Sequence, residues 1–409
     1  PNEYDTFHSL PALSKKLGVP IHRHASPQFL VPRAEFATWA EGKKHLLMET
    51  HYRRLRTERN ILLDAKGKPE GGDWNLDDQN RCTYREFAKA NPTVPPFPSP
   101  IQDPIVKKVA QEVAAHFPTH PGQADQLWVP VTRAGALDWL KTFIRQRLAQ
   151  FGPWEDTMVE GQQILFHSVL SPLLNIGLLT PQECIQAAEK AYREGKAPLN
   201  SVEGFIRQIL GWREFIHGIY WLKMPEYRKA NFLGADRPLP RWAYTGETDM
   251  RCVSQAIHGA VDHAYNHHIQ RLMVLGNYFL LGGYEPQAVL RWYTEMYLDA
   301  YDWVMVPNVL GMILFADGGF FATKPYAAGA AYQDKMGNHC ASCQFDPKQR
   351  EGPKACPFHS LYWNFFGQHA KLFGKNPRIG MMVKIWEKKT PADQKQIRQN
   401  ALHFLDQQK

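Results

Sequence analysis

Apolar residues recur every three or four positions through most of the chain after residue 104, which is the period of amphipathic helices. Leu137, Leu140, Phe143 and Leu148 form one such stripe, and Thr132 stands where the N-cap of that helix is expected. The same pattern predicts six long helices, at Ile105–His116, Arg133–Phe151, Pro181–Lys196, Val202–Lys223, Cys252–Leu281 and Pro286–Tyr301. We therefore expect a mainly α fold.

The first part of the chain has a different pattern. Leu10–Leu17 is predicted to be a short helix, and Val19–His22 and Phe29–Val31 are typical of short extended runs. We interpret residues 1–35 as the remnant of an α/β domain. The chain begins at Pro1, in the middle of a pattern, so we expect that an upstream segment is missing.

Three further segments frame the helical region. Phe36–Arg59 is one long Arg-rich helical pattern, for which we prefer a solvated basic helix to a ligand site. Residues 62–100 are rich in Gly and Pro, which disfavours regular structure and predicts a linker over the surface. Residues 317–359 are loop-rich and hold three cysteines. Segment boundaries are therefore expected near residues 35, 125 and 316.

Composition narrows the class of protein. None of the 409 residues belongs to an apolar run of about 18, and no secretory signal is recognisable, so we expect a cytoplasmic protein with no membrane span. The net charge of +8 fits a basic soluble enzyme or a protein with a polyanionic partner such as nucleic acid. Six cysteines are too few for a disulfide scaffold.

Four cysteines have a spacing that indicates a metal or redox centre. Cys340 and Cys343 form a C-x-x-C pair, Cys356 follows after twelve residues, and Cys252 is the expected fourth ligand. Four thiolates suit zinc or an iron–sulfur cluster, and the spacing alone leaves both open. His339 and His359 are neighbours that could replace a thiolate.

The stretch 167–181 carries hydroxyl groups just before a predicted helix. Ser168, Ser171 and Thr180 in such a turn suit a phosphate or a ribityl chain, although simple helix capping explains them equally well. Further along, Gln208 lies one helical turn before Trp212, so the two share a face that either borders a ligand or packs in the core.

Another candidate group lies after Cys252. His268 and Arg271 are three residues apart and share a helical face. A buried arginine needs a carboxylate partner, for which Asp302 and Asp299 are the candidates. For the His267–His268 pair, hydrogen-bonded histidines at a helix surface remain the plain alternative.

These motifs together resemble the photolyase/cryptochrome family. Its flavin-binding turn is similar to 167–181, with the Thr and Tyr of that family replaced by His167 and Leu173. The run 212–215 matches the family's Trp-Arg-Glu-Phe, and Arg271, Asp302 and Asn308 resemble the Arg–Asp pair and the Asn beside its flavin ring. The tryptophans that usually follow this Asn are absent, which leaves the usual electron chain in doubt.

Three features resemble one branch of that family, the iron–sulfur bacterial cryptochromes and photolyases, or prokaryotic (6-4) photolyases. These features are the four cysteines and the segments 71–75 and 307–312. The resemblance implies FAD and a [4Fe–4S] cluster on Cys252, Cys340, Cys343 and Cys356. It divides the chain into a remnant of an α/β antenna domain (1–35), a helix and interdomain linker (36–125), an all-helical FAD-binding catalytic domain (126–316) and an iron–sulfur region with C-terminal helices (317–409). A lumazine antenna is expected in the missing upstream domain.

The implied activity is light-driven repair of (6-4) photoproducts in single- or double-stranded UV-damaged DNA, by electron transfer from reduced FAD. His268, Asn308, Arg271 and Asp302 are the expected catalytic residues, and His268 would serve proton transfer. With those four, the expected flavin contacts are His167, Ser168, Leu170, Ser171, Gln208 and Arg213. The lesion pocket is assigned Tyr326, Tyr332 and Trp212, and the electron route Trp292, Tyr293 and Tyr301.

Two other functions stay open at this point. A cryptochrome-type photoreceptor would keep the same cofactors and signal without repair, whereas a cluster-bearing nucleic-acid module would lack flavin chemistry. We expect a monomer that associates with the bacterial nucleoid when it binds DNA.

Overall fold

Helices supply the regular structure in the computed structural model, which describes residues 2–24 and 26–408. Pro1, Ala25 and Lys409, which belong to the segments expected at 1–35 and 317–409, lie outside the described residues. No strand forms in the described ranges; four isolated bridges, such as Leu63 to Pro69, are the only β-type pairings there. The mainly α fold class is confirmed.

Five helices precede the main helical body: α1 Tyr4–Leu17, α2 Arg33–Ala40, α3 Met48–Arg59, α4 Tyr84–Ala90 and α5 Pro104–His116. The body contains α6 Arg133–Gln146, α7 Leu148–Trp154, α8 Ser171–Asn175, α9 Pro181–Arg193, α10 Leu199–Ile206, α11 Glu214–Lys223, α12 Trp242–Thr245, α13 Arg251–His263, α14 Asn277–Gly282, α15 Pro286–Met296 and α16 Asp302–Val306. The last part contains α17 Ala330–Met336, α18 Pro357–Gln368, α19 Ala370–Phe373, α20 Gly380–Glu387 and α21 Pro391–Gln407.

Among the described residues, seven shorter segments depart from α geometry. Four are 3-10 turns, at Asp77–Asn80, Ala124–Gln126, Glu226–Lys229 and His339–Ser342. Three are π-helical, at Arg207–Arg213, Gln270–Gly276 and Pro307–Ile313. Such wide turns are rare in proteins, and those that do occur are often found at functional sites.

The expected α/β character of residues 1–35 is not found in their described part. Val19–His22 and Phe29–Val31 form no strand. The backbone N–H groups of Leu30 and Val31 instead donate to the Oε2 of Glu214, each at 2.9 Å. A buried carboxylate on α11 therefore takes the place of a neighbouring strand as their partner. The domain boundaries near residues 35, 125 and 316 stay predictions.

The single long helix expected at 36–59 is wrong. The chain leaves the helix after α2 and turns at Gly42, whose φ of 71° is the left-handed conformation that glycine adopts without strain. The second half, α3, is not a solvated helix either, because it buries His51, Tyr52 and Arg56. Arg56 donates to the carbonyls of residues 61, 62 and 74 and so fixes the start of the linker.

Two other expected helices are interrupted. The pattern over 133–151 breaks at Arg147, whose guanidinium donates to the carbonyls of Pro96 and Leu165. The pattern over 252–281 breaks at Ala264, where φ is 49°. The helices expected to begin at residues 105, 181 and 286 are found, the last of them ending at Met296 instead of Tyr301. The run expected at 202–223 begins at Leu199 and contains the π-helical segment Arg207–Arg213. Within the described residues, no helix is both long and apolar enough to cross a bilayer.

His51 gives the fold a specific pH dependence. Both its ring nitrogens are buried without a hydrogen-bond partner, and its ring lies against Phe36 and Trp39. Burial, with a smaller effect of Arg54, lowers the pKa of His51 from 6.5 to about 3. Between these two pH values the unfolded chain binds a proton at His51 and the folded chain does not. The contribution of His51 to the unfolding free energy is therefore fully present above pH 6.5 and is lost as the pH falls towards 3.

We predict that His51→Phe flattens the fall in unfolding free energy between pH 6 and pH 4. The slopes of unfolding free energy against pH for the wild type and the variant should differ by up to about 1.4 kcal/mol per pH unit. This is the slope expected when the unfolded state binds one proton more than the folded state. Urea unfolding at a series of pH values measures it. The exposed His120 offers a matched control, since His120→Phe should keep the wild-type slope. Equal slopes for the wild type and His51→Phe would contradict the account.

Candidate active site

The three π-helical segments wall a single cavity. Residues of all three face it, among them Gln208 and Arg213 from the first, Arg271 from the second and Asn308 from the third. The empty volume is about 1430 Å³, which includes the space at the open mouth, and most of the lining is apolar. Such a space, with a few convergent polar groups, is typical of a cofactor or ligand site.

The turn before α8 forms another wall of the cavity. Val169 has a φ of 51°, a conformation that is strained for a β-branched residue. This backbone brings Ser168, Leu170 and Ser171 to the cavity, and their binding of a phosphate or ribityl chain stays a prediction. Thr180, in contrast, caps α9 in a reciprocal pair with Glu183, so its hydroxyl has the plain capping role.

Arg271 forms the central ion pair of the site, and its partner is Asp299. The Nη1 and Nη2 atoms donate to the two carboxylate oxygens at 2.9 and 3.2 Å. Burial on its own would lower the pKa of Arg271, but Asp299 and the neighbouring tyrosines raise it above its ordinary value. Asp299 also accepts a hydrogen bond from Ser171 at 2.7 Å, so the pair joins the turn to the second π-helical segment.

The expected pair between Arg271 and Asp302 is therefore wrong. Asp302 begins α16, accepts hydrogen bonds from Tyr220 and Arg228, and does not line the cavity. The two aspartates are three positions apart, and Asp299 lies in the non-helical segment between Met296 and α16, which turns it inwards. Sequence spacing alone does not distinguish the two carboxylates.

Arg213 is a buried cation that lacks a close anion. Its side chain is 9% exposed, and its guanidinium lies over the rings of Phe29 and Trp303 at 4.1 and 5.0 Å. Nη1 donates to the carbonyl of Gln28, while Nε and Nη2 have no partner among the described residues. The nearest carboxylate oxygen, on Glu214, is 3.8 Å away. The free donors suit an anionic or oxygen-rich ligand.

His167 brings an unsatisfied acceptor to the same cavity. One ring nitrogen bonds the backbone of Glu155, whereas Nε2 is buried with no partner in the described chain. Burial, together with His268, lowers the pKa of His167 to about 3, so the ring is neutral near pH 7. It stacks on His267 at 4.5 Å, nearly parallel. A ligand hydroxyl or N–H group would complete its hydrogen bonding.

His268 turns towards the cavity, and the adjacent His267 is buried. The exposed surface of His268 is therefore the part that faces the open space. Burial of the ring among surrounding atoms, and then the charge of Arg271, lower the pKa of His268 to about 4. At neutral pH its imidazole holds one proton and one free lone pair, which suits proton exchange with a ligand.

Other predicted residues divide between the cavity and its surroundings. Trp212, Tyr293 and Asn308 line the cavity, and Asn308 donates to the carbonyl of Val304 at 2.8 Å. Trp292 lies behind Tyr293, with 5.1 Å between ring centroids. The lining does not include Tyr301, Tyr326 or Tyr332. The lining also includes residues that the sequence pattern does not single out, among them Tyr265 and Trp303, which resemble ordinary core aromatics in the sequence.

The four cysteines of the expected cluster lie close together and form no disulfide. Cys252 is in the first turn of α13, Cys340 is in a 3-10 turn, and Cys356 precedes α18. Burial raises the pKa of Cys252, and the other three thiols raise it further. In the described part of the chain, no three Cys, His, Asp or Glu side chains already have the closed spacing of metal ligands. The four thiols are therefore neighbours that do not have the spacing of ligands bound to one ion.

The two aspartates should differ in their contribution to stability. Asp299→Ala leaves the buried Arg271 unpaired, so we expect it to lower the unfolding free energy by about 3–5 kcal/mol. Asp302→Ala breaks a partly exposed pair and should cost about 1–2 kcal/mol. Urea unfolding of both variants measures the difference. A larger destabilisation from Asp302→Ala than from Asp299→Ala would contradict the assigned pair.

Comparison with known proteins adds a strong similarity. The family model described as deoxyribodipyrimidine photo-lyase-related protein matches residues 1–128. The (6-4) photolyase of Agrobacterium fabrum is 42% identical over 405 residues, which cover 99% of this chain and 79% of that protein. An uncharacterized protein of Acanthamoeba polyphaga mimivirus is 38% identical over 93 residues, 23% of this chain and 68% of that protein.

Similarity to solved structures is weaker. A bacterial class III photolyase from Agrobacterium tumefaciens is 19% identical with a TM-score of 0.40, over 67% of this chain and 50% of that chain. A Synechocystis cryptochrome is 14% identical with a TM-score of 0.41, over 69% and 57%. The matched part thus spans half of the first structure and 57% of the second, and neither likeness bears on the assignment. The near full-length identity to the Agrobacterium fabrum protein does: this chain belongs to the photolyase/cryptochrome family, in the branch that includes the bacterial (6-4) photolyases.

Proposed function

We propose that this protein is a DNA photolyase that uses light to repair (6-4) photoproducts. One observation carries the proposal: the predicted flavin residues other than Asp302, together with Trp212, line one cavity, in a chain 42% identical to a protein named (6-4) photolyase. This identity also favours repair over a photoreceptor role. The converged cavity argues against a nucleic-acid module without a cofactor.

The cavity residues fit FAD. Free donors on Arg213 and the free acceptor on His167 match a ligand with phosphates, hydroxyls and ring N–H groups. Ser168, Leu170 and Ser171 would hold its phosphate or ribityl part, with Gln208 beside it, and Asn308 would face the ring. When bound, FAD supplies light-driven one-electron chemistry. The protein binds and orients it.

Within this site Arg271 keeps a fixed positive charge beside the ring position, held by Asp299. His268 is the residue that we assign to proton transfer with the lesion. The damaged bases must leave the duplex stack, which costs a few kcal/mol, less for a damaged pair. Trp212 would contact the extruded bases within the cavity. Tyr326 and Tyr332 lie beyond the lining and would contact the lesion at the mouth.

For flavin photoreduction we propose a route through Tyr293 and Trp292. The cavity position of Tyr293 and its 5.1 Å ring contact with Trp292 support these two members. Tyr301 has no such ring contact in the described chain and remains a weaker third member.

We also propose a [4Fe–4S] cluster on Cys252, Cys340, Cys343 and Cys356. The sequence spacing of the four cysteines supports the cluster, and the other three thiols are near enough to raise the pKa of Cys252; in the described residues they do not have the closed spacing of bound ligands. The cluster would connect α13 to the segment before α18, which is a structural task.

The finer assignments complete the proposal. The substrate would be single- or double-stranded UV-damaged DNA, and the protein would act as a cytoplasmic monomer at the nucleoid. A lumazine antenna would lie in a domain upstream of residue 1. The identity to the named photolyase supports a DNA substrate, and these further points rest on the family resemblance.

His268→Ala should retain FAD and lose repair. We expect the flavin content to equal that of the wild type and the single-turnover repair rate under blue light to fall about 10²–10⁴-fold, the usual effect of losing a general acid or base. Disappearance of a (6-4) photoproduct from an oligonucleotide, followed by chromatography, measures the rate. His258→Ala, on the exposed side of α13, is the matched control. Repair by His268→Ala at the wild-type rate would refute the role.

Cys340→Ser should remove the cluster. Iron per chain should fall from about four atoms towards zero, visible cluster absorption should disappear, and the melting temperature should drop because α13 is no longer tied to α18. Cys82→Ser, a partly exposed thiol away from the group, should keep the iron. Anaerobically purified wild-type protein without iron would overturn the cluster assignment.

A further inference from the structure

The C-terminal region contains a concentration of positive charge. Residues 371–389, which we call the basic hairpin, include six Lys or Arg and one Glu. The segment therefore carries a net charge of +5, against +8 for the entire chain of 409 residues. It begins within α19, turns at 374–379 and continues through α20.

Most of these charges have no carboxylate partner. Lys389 lies over the ring of Trp363 at 4.6 Å. The remaining basic side chains are exposed and form no ion pair within the described residues; they are Lys371, Lys375, Arg378, Lys384 and Lys388.

Several basic residues elsewhere in the chain are paired. Arg53 and Arg54 of α3 contact Glu49 and Glu58, and Arg193 of α9 contacts Glu70 at 2.6 Å. Exposed lysines without a carboxylate partner among the described residues also occur elsewhere, as at Lys15 and Lys107, but the basic hairpin collects six cations and one carboxylate in nineteen residues. That density of available positive charge suits a polyanion.

Buried side chains anchor the backbone that carries these charges. Phe373, Val383 and Trp386 are buried beneath it. Its turn is closed by a hydrogen bond from the N–H of Gly380 to the carbonyl of Asn376, 2.8 Å long. The ring of Trp386 packs so closely on Gly367 that a methyl group there would clash. The lysines therefore extend from a packed surface.

The hairpin adjoins a loop that leaves the cavity wall. Ile313 lines the cavity, and the loop 314–329 follows it directly. The Nδ2 of Asn376 donates to the carbonyl of Thr323 in this loop at 3.2 Å, and Phe373 contacts Phe315 with 5.8 Å between rings. Farther along the loop, burial raises the pKa of Tyr326, against a lowering effect of the nearby Arg378. The charges thus stand beside the segment that connects the cavity to the surface.

We propose that the basic hairpin binds the phosphates of the damaged DNA strand next to the lesion. This rests on the proposed repair function and names a contact surface for its substrate. Exposed lysines and arginines gain affinity for DNA by releasing counterions from phosphates, independently of sequence. The surface would hold the backbone beside the cavity mouth and would not discriminate damaged from undamaged bases.

The test is a combined neutralisation of four lysines, Lys371→Gln, Lys375→Gln, Lys384→Gln and Lys388→Gln, in the holoprotein. Dissociation constants are measured over a range of NaCl concentrations for an oligonucleotide with one (6-4) photoproduct and for its undamaged equivalent. We expect weaker binding of both, by a similar factor. The slope of log affinity against log salt should decrease by about 0.9 for each phosphate that the variant no longer neutralises. Flavin content and the repair rate at saturating DNA should not change.

A matched variant removes the same charge elsewhere. Lys15, Lys16, Lys107 and Lys141 are exposed on α1, α5 and α6, and their replacement by Gln should leave the slope nearly intact. Equal slopes for the hairpin variant and the wild type, or equally weakened binding in both variants, would overturn the proposal. So would salt-sensitive binding to anionic lipid vesicles without binding to DNA. Wild-type protein that binds DNA through the hairpin but repairs nothing would instead refute the repair function and leave this surface standing.

Discussion

The buried charge of Arg271 is the constraint on which the rest of the site depends. A guanidinium among apolar side chains is tolerated only with a carboxylate partner and filled hydrogen bonds. Asp299 supplies the carboxylate, the carbonyl of Asn266 accepts from Nε at 2.7 Å, and the ring of Tyr297 lies 4.0 Å from the guanidinium carbon. Because Asp299 also accepts from Ser171, the pair fixes the turn before α8 against the second π-helical segment. Removing the pair would open the cavity from two sides.

The cavity lies where three helical segments adopt the wider π-helical geometry. A π-helical turn displaces side chains from their α positions, and three such turns bring Arg213, Arg271 and Asn308 to one space. Regular helices would pack their apolar faces together and close that space. The unpaired nitrogens of Arg213 and His167 belong to residues that line this space, and they complete their hydrogen bonds only when a ligand binds. Cofactor binding and the departure from helical regularity therefore have the same structural cause.

Much of this arrangement could be predicted from the sequence, and the failures have identifiable reasons. Periodicity predicted the helical class, because burial of an apolar stripe dominates helix packing. Periodicity does not detect the glycine turn after α2 or the left-handed Ala264, where local backbone geometry interrupts a continuous pattern. Many of the motif residues between His167 and Asn308 line the cavity, whereas Asp302, the expected partner of Arg271, does not. Two carboxylates three positions apart differ only in the direction that an irregular segment gives them, and spacing contains no information on that direction.

Light-driven repair at this site should show a preference for one lesion. The most direct measurement uses two oligonucleotides, one with a (6-4) photoproduct and one with a cyclobutane dimer, each incubated with reduced protein in blue light and in darkness. The account predicts light-dependent disappearance of the (6-4) photoproduct, with the cyclobutane dimer unchanged. A protein that binds flavin and leaves the (6-4) photoproduct intact in the light would contradict it.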